Sequence, residues 1–279
     1  MPIPMSERTI LITGCSSGIG LASARVMKRR GWRVLATARR ADDLAMLENE
    51  VGVEALPLEL SDRDSIAGCA EAALSRTAGR LDVLFNNAAY GQVGAVEDLS
   101  AETLRRQIDV NLIGTHDLTR RIIPAMRRQG SGRIVQCSSV LGLVAAPYRA
   151  AYCASKFALE ALSDGLRVEL SGTGIHVSII EPGPIRTRFV EHALANFRAS
   201  IDIEGSPHRE TYHARLAAME KGGKTTFKLE PEAVAAKLVH AAESPRPRIR
   251  YYVTVPTYLA AALKRLAPSS IIDSFIKKM

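Results

Sequence analysis

The hydrophobic pattern near the start of the chain predicts a strand, a tight turn and a helix in direct succession. Arg8–Thr13 is mostly apolar and β-branched, which is typical of a buried strand. After a glycine-rich turn, an amphipathic helix is predicted from about Ile19 to Arg30, and a second strand covers Trp32–Ala38. With 279 residues and no visible repeat or long linker, the pattern favours one elaborated α/β domain over two.

The turn between the first strand and helix carries glycines at Gly14, Gly18 and Gly20. Glycine allows the backbone to approach a ligand without Cβ collisions, and the free N–H groups of the helix start attract a pyrophosphate. The spacing G-x3-G-x-G differs from the usual G-x-G-x-x-G pattern. A plain glycine-rich turn has the same appearance, so the turn alone leaves both interpretations open.

The residues after the second strand indicate which dinucleotide would be bound. Sites of this kind place a carboxylate there to hold a ribose 2′-hydroxyl, whereas arginine accommodates a 2′-phosphate. Ala38 occupies the acidic position, Arg39 and Arg40 follow it, and the first carboxylate is Asp42. We therefore predict NADP(H) rather than NAD(H), with Ser17 as a second phosphate contact. The alternative is a pair of arginines in a solvated loop.

Tyr152 and Lys156 are one helical turn apart and share a face, and Ser139 lies thirteen residues before the tyrosine. A phenol with a pKa of about 10 is a poor base at neutral pH, and a neighbouring ammonium favours its phenolate. A serine hydroxyl could hold a substrate oxygen against that phenol. The three side chains suffice to move a proton on and off an alcohol or a carbonyl.

Together these features resemble the short-chain dehydrogenase/reductase family over roughly residues 8–190. The resemblance rests on the ordered set Thr13-Gly14-x-x-x-Gly18-Ile19-Gly20, Asn86-Asn87-Ala88, Asn111, Ser139, Tyr152-x-x-x-Lys156 and Pro182-Gly183. It implies a doubly wound α/β fold of Rossmann type, with a central parallel sheet between two helical layers. One domain would then span residues 1–279.

The resemblance also implies the roles of individual residues. Tyr152 would be the general acid/base, Ser139 would orient the substrate oxygen, and Lys156 would lower the phenol pKa and hold the nicotinamide ribose. Asn111 would support a water relay to solvent. The implied cofactor-binding residues are Gly14, Ser16, Ser17, Gly18, Ile19, Gly20, Arg39, Arg40, Glu59, Leu60, Asn86, Tyr152, Lys156, Pro182, Gly183, Ile185 and Thr187. No metal is needed for this chemistry.

Two positions depart from the family pattern. Ala89 stands where a glycine is usual after Asn-Asn-Ala, and Glu59 replaces an aspartate near the adenine. Neither change removes a chemical group from the predicted catalytic set. The segments Tyr152–Glu160 and Glu181–Pro184 look like the hydroxysteroid and retinol dehydrogenase branch.

The substrate side is predicted to be apolar. Val140–Tyr148 is almost wholly apolar and would line the pocket, although packing in the core is nearly as good an explanation. Residues 189–228 break the strand–helix alternation and would form a mobile lid with short helices of its own. Tyr90, Tyr148 and Phe189 are the aromatic candidates for the pocket wall, and His208 and His213 in the lid are expected to be solvated.

The net charge and the C-terminal segment indicate which macromolecules or membranes the protein could contact. The formal charge is +8, yet basic residues are scattered, and the densest cluster, Arg246–Arg250, is interleaved with prolines and predicted to be a loop before a strand at Tyr251–Val255. Nucleic-acid binding is therefore disfavoured. The amphipathic tail Thr257–Met279 would cover the pocket or join a subunit interface, with membrane-surface contact as a minority hypothesis. The resemblance implies a homodimer or homotetramer, and a cytoplasmic location is the default.

The sequence thus predicts an NADP(H)-dependent oxidoreductase that transfers hydride between nicotinamide and an apolar ketone, aldehyde or secondary alcohol, including steroid-like or retinoid-like molecules. Two alternatives stay open. One is a non-catalytic NADP(H)-sensing regulator. Such a protein would be expected to lack the catalytic serine, tyrosine or lysine, and this sequence keeps all three. The other is an NAD(H)-dependent alcohol dehydrogenase.

Overall fold

The computed structural model describes residues 8–220 and 226–276. Within them, seven parallel strands form one sheet in the order β3-β2-β1-β4-β5-β6-β7. The strands are β1 Thr9–Ile12, β2 Arg33–Ala38, β3 Glu54–Pro57, β4 Val83–Asn86, β5 Gly132–Cys137, β6 Ile175–Glu181 and β7 Arg250–Tyr252. Because the order reverses between β1 and β4, a crevice opens at the carboxyl ends of these two strands.

Helices connect the strands and cover both faces of the sheet. They are α1 Gly18–Arg29, α2 Ala41–Met46, α3 Arg63–Arg76, α4 Ala101–Ile108, α5 Thr115–Gln129, α6 Ala150–Glu169, α7 Phe189–Ser200, α8 Arg209–Glu220, α9 Glu232–Glu243, α10 Val255–Leu266 and α11 Ser269–Ile276. Two wider π-helical turns, Leu47–Val51 and Asp109–Gly114, extend α2 and join α4 to α5.

The core is divided by the sheet into two apolar layers, as the period of two along a strand requires. Ile10 and Ile12 face one layer, which includes side chains of α1 and α9. Leu11, between them, faces the other layer, with side chains of α3 and α5. This arrangement confirms the predicted three-layer α/β/α fold with a parallel sheet.

The predicted elements agree with the structure near the N-terminus and differ at the last strand. Both N-terminal strands and the first helix lie within one residue of the predicted bounds. The last strand was expected over Tyr251–Val255, and this is wrong: β7 begins at Arg250 and ends at Tyr252. Pro256 lies in the first turn of α10, where it favours a helix start and ends the extended segment.

The segment after β6 leaves the sheet, and backbone hydrogen bonds bring its two ends together. Arg186 donates its backbone N–H to Leu229 O at 2.9 Å, and Leu229 donates to Pro184 O at 3.1 Å. Between these contacts lie α7 and α8, while residues 221–225 of the predicted lid fall outside the described part of the chain.

The C-terminal tail forms two helices rather than one continuous amphipathic segment. Ala267–Pro268 separates α10 from α11, and Met279 and its two predecessors lie outside the described residues. Thr257, Ala260 and Ala261 are buried, whereas Leu266 is 85% exposed. No helix in residues 8–220 and 226–276 has both the length and the apolar character to cross a bilayer.

Candidate active site

The predicted site residues converge where parallel strands end, because the carboxyl ends of such strands share one edge of the sheet. At the crevice, hydrogen bonds of Thr13 and Asn87 hold the glycine-rich turn against the end of β4. The Thr13 hydroxyl accepts from the backbone N–H groups of Asn87 and Ala88, both at 2.9 Å. Asn87 Nδ2 in turn donates to Thr13 O at 2.9 Å and to Gly14 O at 3.2 Å.

Two glycines of this turn occupy positions that no side chain could share. Gly14 has φ +73°, and a Cβ there would come within 2.8 Å of Ala88 Cα. Gly18 has φ +57°, and its Cβ would lie 2.9 Å from Thr187 Cγ2. The predicted cofactor residues Gly18 and Thr187 are thus brought together, and the turn has the bare backbone that a close approach by a pyrophosphate requires.

The end of β2 carries the candidate 2′-phosphate residues. Arg39 lies 3.5 Å from Glu59 Oε2, and Arg40 lies 3.2 Å from Asp42 Oδ2. Burial alone would raise the pKa of Glu59, but hydrogen bonds from Ser61 and the Arg39 charge outweigh it, so this pKa lies below its usual value. Glu59 therefore carries a negative charge beside Arg39 at neutral pH.

Leu60 lies three residues after the end of β3, and Asn86 is the last residue of β4. Leu60 is buried, and its carbonyl packs so closely on Gly114 that a Cβ there would meet it at 2.0 Å. The Asn86 side chain is buried and donates to Thr119 Oγ1 at 2.8 Å. Its amide nitrogen is therefore engaged in the protein interior.

Tyr152, Lys156 and Ser139 form one compact group just after the end of β5 and in the first two turns of α6. Lys156 is 3% exposed, its Nζ donates to Cys137 O at 2.7 Å, and it lies 5.7 Å from the centroid of the Tyr152 ring. The Ser139 hydroxyl accepts from Leu141 N at 3.1 Å. Parallel strand ends and one helix turn thus bring the three predicted side chains together.

The ionisation of Tyr152 differs from the sequence-based expectation. Burial raises the pKa of its phenol above the usual value, Cys137 adds to this rise, and the facing Ser139 hydroxyl opposes it. Burial also lowers the pKa of the Lys156 ammonium. The sequence pattern shows the neighbouring charge but not the loss of water around both groups, and that loss sets the direction. Tyr152 therefore holds its proton at neutral pH.

Asn111 enters the site through the wide turn between α4 and α5. It is 1% exposed, its Oδ1 accepts from Tyr90 N at 3.1 Å, and its Nδ2 donates to Tyr90 O at 2.9 Å and to Ser155 Oγ at 3.2 Å. Such π-helical turns are frequent at functional sites because they redirect a side chain out of the regular helix. Asn111 thereby links the α4–α5 connection to the helix that carries Tyr152.

The aromatic candidates for the pocket wall separate into two places. Phe189 packs edge-on against Tyr152 with ring centroids 5.4 Å apart, and Gly91 leaves room for it, since a Cβ there would come within 2.8 Å of Phe189 Cζ. Tyr148, with φ +63°, instead packs beside His208, whose Nδ1 lies 3.2 Å from the Tyr148 hydroxyl.

His208 is only partly solvated: its side chain is 29% exposed and has partners in two other segments of the chain. Its Nε2 lies 2.7 Å from Glu97 Oε1 while its other ring nitrogen faces Tyr148. His213 is more exposed and lies 3.0 Å from Glu204 Oε1. The sequence signals the lid but not which of its side chains turn inward.

The loop after β6 is fixed to the Ser139 turn. Val140 donates its backbone N–H to Pro182 O at 2.8 Å, and Ser138 donates to Ile180 O at 2.8 Å. A Cβ at Gly183 would lie 2.0 Å from Thr254 Oγ1. Pro182, Gly183, Ile185 and Thr187 therefore follow a rigid path from the sheet edge towards the glycine-rich turn.

Comparison with known proteins agrees with this geometry. The family profile described as short chain dehydrogenase matches residues 8–196. The chain belongs to the short-chain dehydrogenase family. It is 42% identical to the uncharacterized oxidoreductase YbbO of Escherichia coli K12 over 97% of this chain and 94% of that protein. Human 17-beta-hydroxysteroid dehydrogenase type 1 is 35% identical over 90% and 78%, and human retinol dehydrogenase 8 is 34% identical over 88% and 81%.

Solved structures of the family share the fold. A Burkholderia phymatum short-chain dehydrogenase/reductase in complex with NAD is 25% identical, with a TM-score of 0.80 over 98% of this chain and 96% of that one. An actinorhodin polyketide ketoreductase with NADPH is 26% identical, with a TM-score of 0.74 over 90% and 97%. The chain is thus an oxidoreductase of the hydroxysteroid- and retinol-dehydrogenase-like branch, in a family that uses a nicotinamide cofactor.

Proposed function

We propose that this protein is an NADP(H)-dependent reductase of apolar ketones and aldehydes, which also oxidises the corresponding secondary alcohols. The observation that carries the proposal is the group formed by the buried Tyr152 and Lys156 with the half-buried Ser139, at the sheet edge beside the crevice where the strand order reverses. Such a group supplies acid–base chemistry but no electrons. A bound nicotinamide would supply or accept the hydride.

Tyr152 acts as the general acid when a carbonyl is reduced. Its hydroxyl proton goes to the carbonyl oxygen as the carbonyl carbon gains hydride, and the phenolate that remains is then reprotonated from solvent. The raised pKa of the buried phenol keeps it protonated at neutral pH, which favours this direction. In the reverse direction the phenolate removes the alcohol proton.

Ser139 and Lys156 assist that proton transfer. The Ser139 hydroxyl faces the phenol and holds the substrate oxygen in hydrogen-bonding range of it. The Lys156 ammonium would stabilise the phenolate as it forms, and it is the residue that would hold the nicotinamide ribose when the cofactor is bound. Asn111, whose amide joins Tyr90 to Ser155, holds the start of a water path to solvent.

The residues around the crevice fit a dinucleotide. The start of α1, which follows the tightly packed Gly14 turn, would hold a pyrophosphate with its free N–H groups, and its first turn has no acidic side chain to repel one. Ser16, Ser17, Ile19 and Gly20 complete this turn, and Pro182, Gly183, Ile185 and Thr187 would flank the nicotinamide. Glu59, Leu60 and Asn86 border the adenine side.

The substrate wall would be apolar. Phe189 packs on the Tyr152 ring, and Leu141, Val140 and Ala146 belong to the same apolar cluster. A substrate carbonyl that reaches Tyr152 must therefore displace or lie against the Phe189 ring, which suits a hydrophobic molecule rather than a charged one.

A substrate panel tests the proposal. The purified protein should consume NADPH with some apolar ketones, aldehydes, steroid ketones or retinaldehydes, and it should discriminate against carboxylate-bearing carbonyls. The assay is repeated with NADH and, in the oxidative direction, with the matching alcohols. NADPH binding without turnover across the panel would support a cofactor-sensing regulator, and turnover with NADH alone would support an NAD(H)-dependent alcohol dehydrogenase.

Arg39→Ala should weaken NADPH binding about tenfold or more while leaving NADH binding nearly unchanged, since a charge-assisted contact with a phosphate contributes about 1.5–3 kcal/mol. Titration calorimetry of both cofactors with the parent and the variant measures this. Arg25→Ala, which removes an exposed arginine of α1, is the matched control. Equal affinity of the parent for NADPH and NADH would contradict the proposed preference.

A further inference from the structure

A charged cluster joins β7 to α6 and β6 behind the candidate active site. Arg250 Nη1 donates to Glu181 Oε1 at 2.7 Å and also to Glu160 Oε2, and its Nη2 donates to Asp164 Oδ2 at 2.6 Å. One guanidinium thus binds three carboxyl groups that are 69 to 90 residues away in the sequence. The fork of an arginine is suited to several such contacts at once.

Burial within the cluster decreases from Glu181 on the sheet to Asp164 near the surface. The Glu181 side chain is fully buried, that of Glu160 is 9% exposed, and that of Asp164 is 41% exposed. Three ionised carboxylates against one guanidinium would leave an excess of buried negative charge. Burial and the neighbouring Glu160 raise the pKa of Glu181 to about 8, although Arg250 opposes the shift. Glu181 is therefore protonated at neutral pH.

Other charged groups face this carboxyl group from the surrounding elements. Asp164 on α6 adds repulsion and is itself shared with Arg167 at 3.3 Å, while Lys156 lies one turn before Glu160. Tyr252 on β7 lies in the electrostatic field of Glu181, Glu160 and Arg265. A cavity beside the cluster is lined by Glu160, Asp164 and Arg250, and α10 adds Lys264 and Arg265 to its wall. The cavity has a volume of about 470 Å³.

The two buried acidic residues of the cluster, Glu160 and Glu181, adjoin segments that carry proposed active-site residues. Glu160 follows Lys156 by one turn of α6, and its side chain lies against the Ser139 turn, since a Cβ at Gly142 would be 3.1 Å from Glu160 Cγ. Glu181 directly precedes Pro182, whose carbonyl accepts from Val140 N at 2.8 Å. The cluster thus contacts the helix, the turn and the loop that form the site.

We infer that Arg250 is a positioning residue, which, with Glu160 and Glu181, holds α6, the Ser139 turn and the Pro182–Gly183 loop in their active arrangement. It touches neither the substrate nor the cofactor. Removal of the guanidinium would leave the Glu160 carboxylate without its counter-ion and Glu181 without its hydrogen-bond donor, which would loosen the contact between β6 and α6. The inference concerns how the proposed active site is held and rests on the proposed function only for its activity readout.

The stability readout needs no activity. Because the folded-state pKa of Glu181 lies above its unfolded value, its contribution to stability is complete below about pH 4.5, falls as the pH rises, and levels off above about pH 8. Glu181→Gln has no ionisable group at this position, so it removes the fall in stability that Glu181 causes as the pH rises. The melting temperature of E181Q should therefore rise relative to that of the parent from about pH 5 to about pH 8.

Asp164→Asn, at the more exposed end of the same cluster, is the matched control for this comparison. Its melting-temperature difference from the parent should change less with pH than that of E181Q. A difference between E181Q and the parent that stays constant over the same range would overturn the protonated state of Glu181, whatever the enzymatic activity proves to be.

The activity readout compares Arg250→Ala with Arg250→Lys. Because small displacements of reacting groups reduce rates by up to about 10²-fold, R250A should lower kcat at least about tenfold near pH 8, with a smaller change in the KM for NADPH. R250K should recover part of kcat, because lysine restores a cation and a hydrogen-bond donor to the cluster. A loss that lysine does not relieve, or a loss confined to the KM for NADPH, would overturn the positioning role.

Discussion

Tyr152→Phe is expected to lower kcat for NADPH-dependent carbonyl reduction by about 10²–10⁴-fold, the range that a positioned general acid contributes. Phenylalanine keeps the ring that packs 5.4 Å from Phe189 but has no proton to give to the carbonyl oxygen. The NADPH dissociation constant and the melting temperature should change little, because the removed hydroxyl is not part of the pyrophosphate turn. Stopped-flow turnover and calorimetric titration measure the two effects separately.

Tyr258→Phe is the matched control, since Tyr258 is 52% exposed on α10 and lies outside the proposed site. It should retain parental kcat and NADPH affinity. Substantial residual turnover in Y152F, above about one tenth of the parental rate, would contradict the role of Tyr152 as general acid.

Lys156→Met is expected to lower kcat/KM by about 10²-fold or more, which corresponds to about 2.7 kcal/mol of transition-state stabilisation. Methionine has similar length and tolerates the buried position, but it lacks the ammonium that donates to Cys137 O and would favour the phenolate. We expect a weaker affinity for NADPH as well, since the proposed contact with the ribose is lost. This separates K156M from Y152F, in which binding is retained.

Lys237→Met removes a lysine from α9 and provides the control for the loss of charge alone. Its kinetic constants should match those of the parent. If K156M kept parental kcat/KM and NADPH affinity across neutral pH, the ammonium would have no part in the reaction, and the proposed division of roles between Tyr152 and Lys156 would fail.

Local patterns were sufficient to predict most of the fold. A buried strand such as β1 is a short β-branched run, and its successive side chains Ile10 and Leu11 enter opposite core layers. The α1 bounds followed from the glycine-rich turn before it and the helical spacing of Leu21, Ala24 and Met27. The end of β7 did not follow, because its apolar run continues to Val255 and only Pro256 turns the chain into α10.

The candidate site was predictable where residues are close in sequence or share the strand-end edge. Tyr152 and Lys156 are one turn apart, and the ends of β5 and β6 bring Ser139 and Pro182 beside them. The role of Arg250 in a partly buried charge cluster was not predictable, because it ends a proline-rich basic run and its three acidic partners lie far away in the chain. The direction of the Tyr152 pKa shift depends on burial, which local spacing does not give.

Direct hydride transfer from the nicotinamide to the substrate carbon is the central claim, and isotope labelling tests it most directly. The parent protein is incubated with NADPH carrying deuterium at C4, on each face in turn, and with an apolar ketone that the panel shows to be reduced. Mass spectrometry of the product alcohol should find one deuterium on the carbinol carbon with one of the two labelled cofactors. An alcohol without deuterium in both cases would contradict the account.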